Sequence, residues 1–447
     1  MSSRKNAGPG QPAATPPEGI TLFRAPWLVT VNTGTDLLSR HVDIQDSQFL
    51  IENGGICVAG GRIIAVGRFA DLRHDYGTAE VVDYEASILT PSLVNAHVHL
   101  ELSHLAGVGD TVDYKGDLPA WIMELIADRE RCRASASEIV RAGQHALDNL
   151  LASGTGLLAD IGNQPVSSAI GNGARARVCF FLELLGMSKK ASEAALALLN
   201  REEGSETICT IHAPYSCHAD LIRAVKKQSI LQQRIFTLHV AESAAEIEFL
   251  RYGTGGFREL LTTRGAWDDS FVPLAERNRG AVDYLDRLGV LDSNTLCVHA
   301  VHISKQEIAL LAEKLAKVCL CPGSNRYLGV GKAPVADMLA NGILPGLGTD
   351  SLASNRELNI WQEMKNLRTD HPGIEPSMIF AMATRGGAAS LGYGDRLGML
   401  SPGMEASVLA VACPVIERSE VFEYLTTIGN TAQPVWVCAN EAEIRLL

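Results

Sequence analysis

The chain has 447 residues, 46% of them hydrophobic and 20% charged, with a formal net charge of −12 at pH 7. That is room for a large domain plus a smaller one, on the usual scale of roughly 100–200 residues per domain, with an ordinary globular composition. The acidic balance excludes nucleic acid and an anionic membrane surface as general partners, but not a small-molecule substrate held in a pocket.

Residues 1–18 are rich in Pro, Gly, Ala and Ser and lack the apolar segment of a secretory signal, so a disordered lead-in is expected. From Ile20 to about Val82 the pattern predicts short strands at Leu22–Val31, Phe49–Ile51, Ile56–Ala59 and Ile63–Val66, with turns at Gly54-Gly55 and Gly60-Gly61. This stretch carries no chemistry-bearing cluster, and His41 and His74 read as surface residues. After Pro91, apolar strands alternate with helical segments. The strands are Leu93–His99, Thr155–Asp160, Arg177–Leu184, Thr207–His212, Ile235–His239, Leu296–His299, Lys317–Cys321 and Leu344–Thr349; helices include Ala136–Ser153, His218–Gln232, Lys305–Ala316 and Ala333–Asn341. Eight such units are the arithmetic of a (β/α)8 TIM-like barrel. An open doubly wound sheet is disfavoured because no GxGxxG turn follows any strand.

From Leu397 the helical pattern stops and strands are predicted to Leu447. The simplest organisation is a β-sandwich domain built from residues 19–87 and 397–447, with the barrel, residues 88–396, inserted between its halves. No uncharged apolar run reaches the ~18 residues of a membrane span. The ten cysteines are scattered singly apart from Cys319-x-Cys321, which suits a reducing cytoplasm. A homo-oligomer is compatible with these features.

Reactive groups of a barrel belong at the C-terminal strand ends. His97 and His99 end the first strand, His212 the fourth, His239 the fifth and His299 the sixth, and Asp350 follows the eighth. Histidines scattered through a core would not favour one end of each strand. A hydrolytic metal site needs neutral imidazoles, a carboxylate and an open position for water. His97, His99, His239 and Asp350 supply the first two. Glu242, three residues beyond His239, is placed to be a general acid/base without being a ligand.

With Asn95-Ala-His-Val-His99, His239-Val-Ala-Glu242, the His299 strand, Cys321-Pro-Gly-Ser-Asn325 and Gly348-Thr-Asp-Ser-Leu-Ala-Ser-Asn355, the chain resembles the amidohydrolase superfamily, in its branch of chlorohydrolases and nucleoside-type deaminases. The resemblance covers nearly everything after residue 20. It implies that His97, His99, His239 and Asp350 hold one divalent metal ion, Zn2+ or Fe2+. It also implies that Glu242 shuttles protons and that His299 helps orient the water. Relatives with two metals bridge them by a fourth-strand lysine; Thr207–His212 has none, so a mononuclear site is implied. The family's late Ala-Asp is Ala406-Ser407 here, a departure in the β domain.

Candidate substrate contacts are His212, Glu101, Trp121 and Glu183. The matching histidine touches substrate in related deaminases, Glu101 and Ser103 follow the metal pair, Trp121 suits a flat base as well as a core, and Glu183 ends the third strand. Asn325 and Arg326 follow the seventh strand; Arg326 equally suits an acidic partner. His302 is read as a rim residue, and His104, His145, His218 and His371 as structural. The insertion from Gly253 to Gly280 has the length of a lid. The expected reaction is hydrolytic deamination of a 6-aminopurine nucleoside-type substrate. Within the branch the chain most resembles aminodeoxyfutalosine deaminases of menaquinone synthesis, on His99-Leu-Glu-Leu-Ser103, His239-Val-Ala-Glu-Ser243, Gly253-Thr-Gly-Gly-Phe-Arg-Glu-Leu and Asp350-Ser-Leu-Ala-Ser354. Deamination of adenosine, S-adenosylhomocysteine, guanine or cytosine, an s-triazine-type chlorohydrolase, and an inactive scaffold are the alternatives.

Overall fold

The computed structural model describes residues 19–32, 48–108, 114, 116–164, 167–171, 176–202, 207–274 and 279–438. The expected lead-in 1–18, His41 and residues 439–447 lie outside them. The N-terminal strands are β1 (Thr21–Val29), β2 (Leu50–Ala59), β3 (Arg62–Arg68), β4 (Glu80–Asp83) and β5 (Ser87–Pro91). The expected break at Gly54-Gly55 is absent: β2 runs straight through it, antiparallel to β1 and β3. The glycines serve close packing instead, since a Cβ on Gly54 would lie 2.4 Å from the Leu28 Cβ. Gly60 and Gly61, with φ of 54° and 69°, do make the next turn.

Eight strands follow, alternating with helices: β6 (Leu93–Val98), β7 (Thr155–Gly162), β8 (Arg177–Leu184), β9 (Ile208–Ile211), β10 (Phe236–Val240), β11 (Thr295–His299), β12 (Lys317–Leu320) and β13 (Gly346–Leu347). They form two four-stranded sheets, β6 to β9 and β10 to β13, each parallel and in chain order. Hydrogen bonds join the two at both edges. At one, the His239 amide donates to the His212 carbonyl at 2.9 Å; at the other, the Thr349 and Asp350 amides donate to the His97 carbonyl at 3.0 and 3.1 Å. Strand β13 is shorter at both ends than the expected Leu344–Thr349; at its start Pro345 has no amide to give a ladder.

The chain returns as β14 (Val408–Ala412) and β15 (Pro434–Cys438), which complete the N-terminal sheet in the order β15-β14-β5-β1-β2-β3, with β4 beside the first half of β1. Among the described residues, both termini thus contribute to one mixed sheet. Its strand β5 crosses the expected domain boundary at residues 87 and 88, so the passage into the parallel sheets falls at Ser92. Nor is the C-terminal segment all strand. Helix Val421–Thr427 packs on helices Ile360–Asp370 and Pro376–Ala381, with Arg368 bonded to Glu423. Helix Ala136–Ala152 opens with a full capping box from Ser135 and Glu138 and seals Leu147 and Leu150 over Val98 and Leu158. That packing fixes the strand that carries the first two histidines.

Candidate metal centre

His97 lies in β6 and His99 one residue past it, on one face by the alternation of an extended chain. With His239 of β10 and Asp350 beyond β13, they place one ligand atom each within 4.8 Å of one another, all four residues buried. His99 Nε2 is 3.3 Å from His239 Nε2. The Asp350 Oδ1 is 3.6 Å from His99 Nε2 and 3.8 Å from His97 Nε2.

The rings are aimed from behind. His99 Nδ1 donates to the Ile161 carbonyl at 3.1 Å and His239 Nδ1 to the His212 carbonyl at 2.8 Å. A carbonyl only accepts, so each Nδ1 carries the proton and each Nε2 turns its lone pair inward. Two lone pairs facing each other at this separation repel unless a cation lies between them. Both ring nitrogens of His97 are buried without a hydrogen-bond partner among the described residues, so one lone pair of this ring also fits a cation. Asp350, held at a left-handed φ of 59°, accepts at Oδ2 from the Ser324 and Ser354 hydroxyls at 2.7 and 2.8 Å, which leaves Oδ1 facing the imidazoles.

The charge states agree with this donor set. Burial, reinforced by the neighbouring imidazoles, lowers His97 well below the ordinary range. Burial takes His99 down to about 4 against the pull of Asp350, and it lowers His239 as well. Burial works to raise Asp350, but His99, His299, His239 and the Ser324 hydrogen bond outweigh it and hold the carboxyl below its usual range. Three neutral imidazoles and one carboxylate are the form in which these groups bind a divalent ion.

Glu242 follows β10, is 4% exposed, and sets its Oε1 3.7 Å from His299 Nε2. His299 ends β11 and donates from Nδ1 to the Asn325 Oδ1 at 3.0 Å. Burial pushes the Glu242 carboxyl up to about 8, with His239 opposing and Asp350 adding. Burial beside the donor cluster thus moves this carboxyl in the direction a general acid/base requires.

The model of the amidohydrolase family matches residues 88–437. The chain belongs to the amidohydrolase family. It is a hydrolase of carbon–nitrogen bonds, and the His97, His99, His239 and Asp350 cluster has the composition of a metal-binding donor set. The amidohydrolase is 30% identical over 378 residues to the 5-methylthioadenosine/S-adenosylhomocysteine deaminase of Moorella thermoacetica, covering 81% of this chain and 82% of that one. It is 29% identical over 376 residues to the enzyme of the same name from Pelotomaculum thermopropionicum, covering 80% of each. In fold it is similar to Helicobacter pylori aminofutalosine deaminase in complex with methylthio-coformycin, with a TM-score of 0.77, 21% identity, and coverage of 93% and 97% of the two chains. A zinc-bound adenosine deaminase from Xanthomonas campestris gives a TM-score of 0.68 at 22% identity over 92% of this chain and 90% of that one.

The amidohydrolase treats its candidate substrate contacts unevenly. Glu183 is beside the centre, its Oε1 3.9 Å from His239 Nδ1 and without a hydrogen-bond partner among the described residues. His212 lies with Glu183 and His239 in a second group of converging ligand atoms, its Nδ1 paired with the Ser216 hydroxyl at 2.7 Å. Glu101 departs from the expected mouth position. It is 1% exposed, and its Oε2 accepts from the amides of Asn163 and Gln164, both at 3.2 Å, and from the Ser167 hydroxyl. A carboxylate so engaged holds the loop after β7. Trp121 packs in the main core, its indole Nε1 buried without an acceptor among the described residues.

Arg326 takes its acidic alternative, with two 3.0 Å bonds to Asp370, while Asn325 serves His299. His302 donates to the Val330 carbonyl at 2.7 Å, and His218 caps helix Ala219–Leu231. In the 253–280 insertion, helix Gly256–Thr263 buries Phe257 in a stack on Tyr215 with centroids 3.7 Å apart. Residues 275–278 lie outside the described ones.

Sequence reading missed the supports. Glu246 accepts from the Ala241 and Glu242 amides at 2.9 and 3.0 Å. Asn95 bonds the Thr349 hydroxyl at 2.8 Å. Glu363 accepts from Gly323 and from Asn355, at 2.6 and 2.8 Å. Asn95 and Asn355 stood in the quoted motifs without a role, and Glu246 had a local signal: Ser243-x-x-Glu246 spells a capping box, and Ser243 does cap its helix.

Proposed function

We propose that the chain is a metal-dependent deaminase of 6-aminopurine nucleosides, with aminodeoxyfutalosine as its substrate. The observation that carries the deaminase reading is the buried Glu242, its Oε1 3.7 Å from His299 Nε2, set beside the four-residue donor cluster. In this reading the two parallel half-sheets act as one closed (β/α)8 barrel at residues 88–396, flanked by a small β domain from both termini. The metal is one Zn2+ or Fe2+ ion held by His97, His99, His239 and Asp350.

A bound ion of this kind lowers the pKa of water towards ~7 and polarises the bond under attack. Glu242 takes the proton of the attacking water and delivers it to the departing amino group. A carbon–oxygen bond forms, the carbon–nitrogen bond breaks, and ammonia leaves. His299, its Nδ1 proton committed to Asn325, turns Nε2 towards Glu242 and orients the water. Glu183 and His212 face the substrate, and burial of the whole group excludes bulk water. The product is a 6-oxopurine nucleoside.

The similarity to deaminases of 5-methylthioadenosine and S-adenosylhomocysteine supports an adenine nucleoside substituted at the 5′ position. The Gly253-Thr-Gly-Gly-Phe-Arg-Glu-Leu insertion and the motifs after His99 and Asp350 support aminodeoxyfutalosine within that class. The small-molecule site, the acidic surface and the absence of any helix among the described residues long and apolar enough to cross a membrane fit a cytoplasmic enzyme without nucleic-acid or membrane partners. A homo-oligomer is compatible with this reading.

The test is ammonia release by metal-loaded protein from aminodeoxyfutalosine, 5-methylthioadenosine, S-adenosylhomocysteine, adenosine, guanine and cytosine. The highest kcat/KM is expected for aminodeoxyfutalosine. Turnover of another nucleoside without it overturns the substrate. Chloride release from a chloro-s-triazine, with no ammonia from any nucleoside, overturns the deaminase reading.

A further inference from the structure

We propose that Glu246 is the positioning residue of the acid–base pair, holding Glu242 directly and His299 through Ala241. The inference rests on the proton-shuttle role of Glu242 and names what keeps that role possible. Three non-glycine residues at the ends of the adjacent strands β10 and β11 have left-handed backbones: Ala241 at φ 53°, His299 at 71° and Ala300 at 47°. Side-chain-bearing residues hold such conformations only where their surroundings over-determine them.

Ala241 is the joint. Its carbonyl accepts from the amides of Val301 and His302 at 3.0 and 2.8 Å, just past His299. Its amide and that of Glu242 donate to the two carboxylate oxygens of Glu246 at 2.9 and 3.0 Å. Glu246 has no measurable exposure. It sits in the first turn of helix Ala244–Tyr252, where its own amide donates to the Ser243 hydroxyl at 3.3 Å and where the helix dipole favours a carboxylate. A capping-box glutamate ordinarily reaches back to the N-cap amide; this one bypasses Ser243 and clamps the two residues before it. Both oxygens are occupied by backbone donors, so Glu246 acts through Glu242 and His299, not on substrate.

The geometry makes Glu246→Gln a sharp variant, because an amide accepts at one of these positions and presents N–H at the other. In the metal-loaded full chain, kcat is expected to fall about 30-fold or more, part of the 10²–10⁴ that general acid–base catalysis supplies. KM should stay within about threefold and metal content near one per chain. In a Glu242→Gln background the same change should cost less than about threefold, since residues acting as a unit are not additive. Hydrogen exchange, which needs no substrate, should speed up together at residues 241–242 and 301–302.

Multiplicative losses in the double variant overturn the proposal, as do unchanged kcat or faster exchange at 241–242 alone. If Glu242→Gln alone keeps full activity, the shuttle reading and this proposal fall together. An inactive Glu242→Gln with additive losses removes only the proposal. If Glu246→Gln fails to fold, Glu246→Asp, which keeps the charge but shortens the reach, is measured by the same cycle and exchange.

Discussion

The four-residue donor cluster and the Glu183 side of the site are built on opposite terms. At three of the four cluster residues the atoms that point away from the centre are occupied, His99 and His239 by carbonyls and Asp350 by two serine hydroxyls. On the other side, the Glu183 Oε1 is buried without a partner among the described residues. Buried polar atoms in native proteins are almost always satisfied. Hydrogen bonds thus aim three of the ligands, while one oxygen of the neighbouring Glu183 carboxyl has none.

The contrast breaks most severely at Asp350. Asp350→Ala removes the only carboxylate of the cluster and strands the Ser324 and Ser354 hydroxyls. Activity is expected to fall about 10³-fold or more, matching the several kcal/mol that a metal supplies. Elemental analysis should show metal far below one per chain; full metal content would contradict the assignment. Glu183→Gln tests the other side. Metal content should not change, while KM rises about 10–100-fold, the loss of a hydrogen bond to the ligand at a buried group. A drop in metal content with KM intact would move Glu183 into the cluster.

A separate effect, on stability, is expected at Asp160 beneath the first histidine pair. Burial pushes this carboxyl up to about 8, against the hydrogen bond from the Leu100 amide and with a contribution from Glu101. A carboxyl whose folded pKa is raised binds more protons folded than unfolded, so it subtracts stability as pH rises from about 4 to about 8. Asp160→Asn keeps the acceptor for Leu100, whose amide lies 3.0 Å from Oδ1, and does not ionise. Denaturation across that range should show a slope shallower by up to about 1.4 kcal/mol per pH unit. An unchanged slope would place the titration elsewhere.

What the sequence made legible was whatever has a local period or a strand-end position. The parallel strands fell close to their expected bounds, and His97, His99, His239, His299, Glu242 and Asp350 converge. Gly54 misled because a glycine permits a turn and a close approach alike, and only the opposing Leu28 decides between them. Helix Val421–Thr427 was hidden by its β-branched and aromatic residues, whose preference yields to packing on a neighbouring helix. Glu101 shows the limit for sites: proximity to the metal pair placed it at the mouth, but the loop amides that claim it come from residues 163 and 164. Contacts of that range leave no pattern in a single sequence.

Strand β5 lies between β1 and β14, and next to it the Ser407 hydroxyl bonds that of Ser92 at 2.8 Å. As the polypeptide leaves the ribosome, Ile88 and Leu89 therefore have one open flank until almost all of the chain has been made. The cost of closing so long a loop grows only with the logarithm of its length, so the late partner is thermodynamically tolerable. Its lateness leaves an unpaired edge exposed throughout synthesis. Strand β14 is thus a clasp: a polypeptide stopped near residue 400 would carry His97, His99, His239 and Asp350 and still expose an apolar edge to its neighbours.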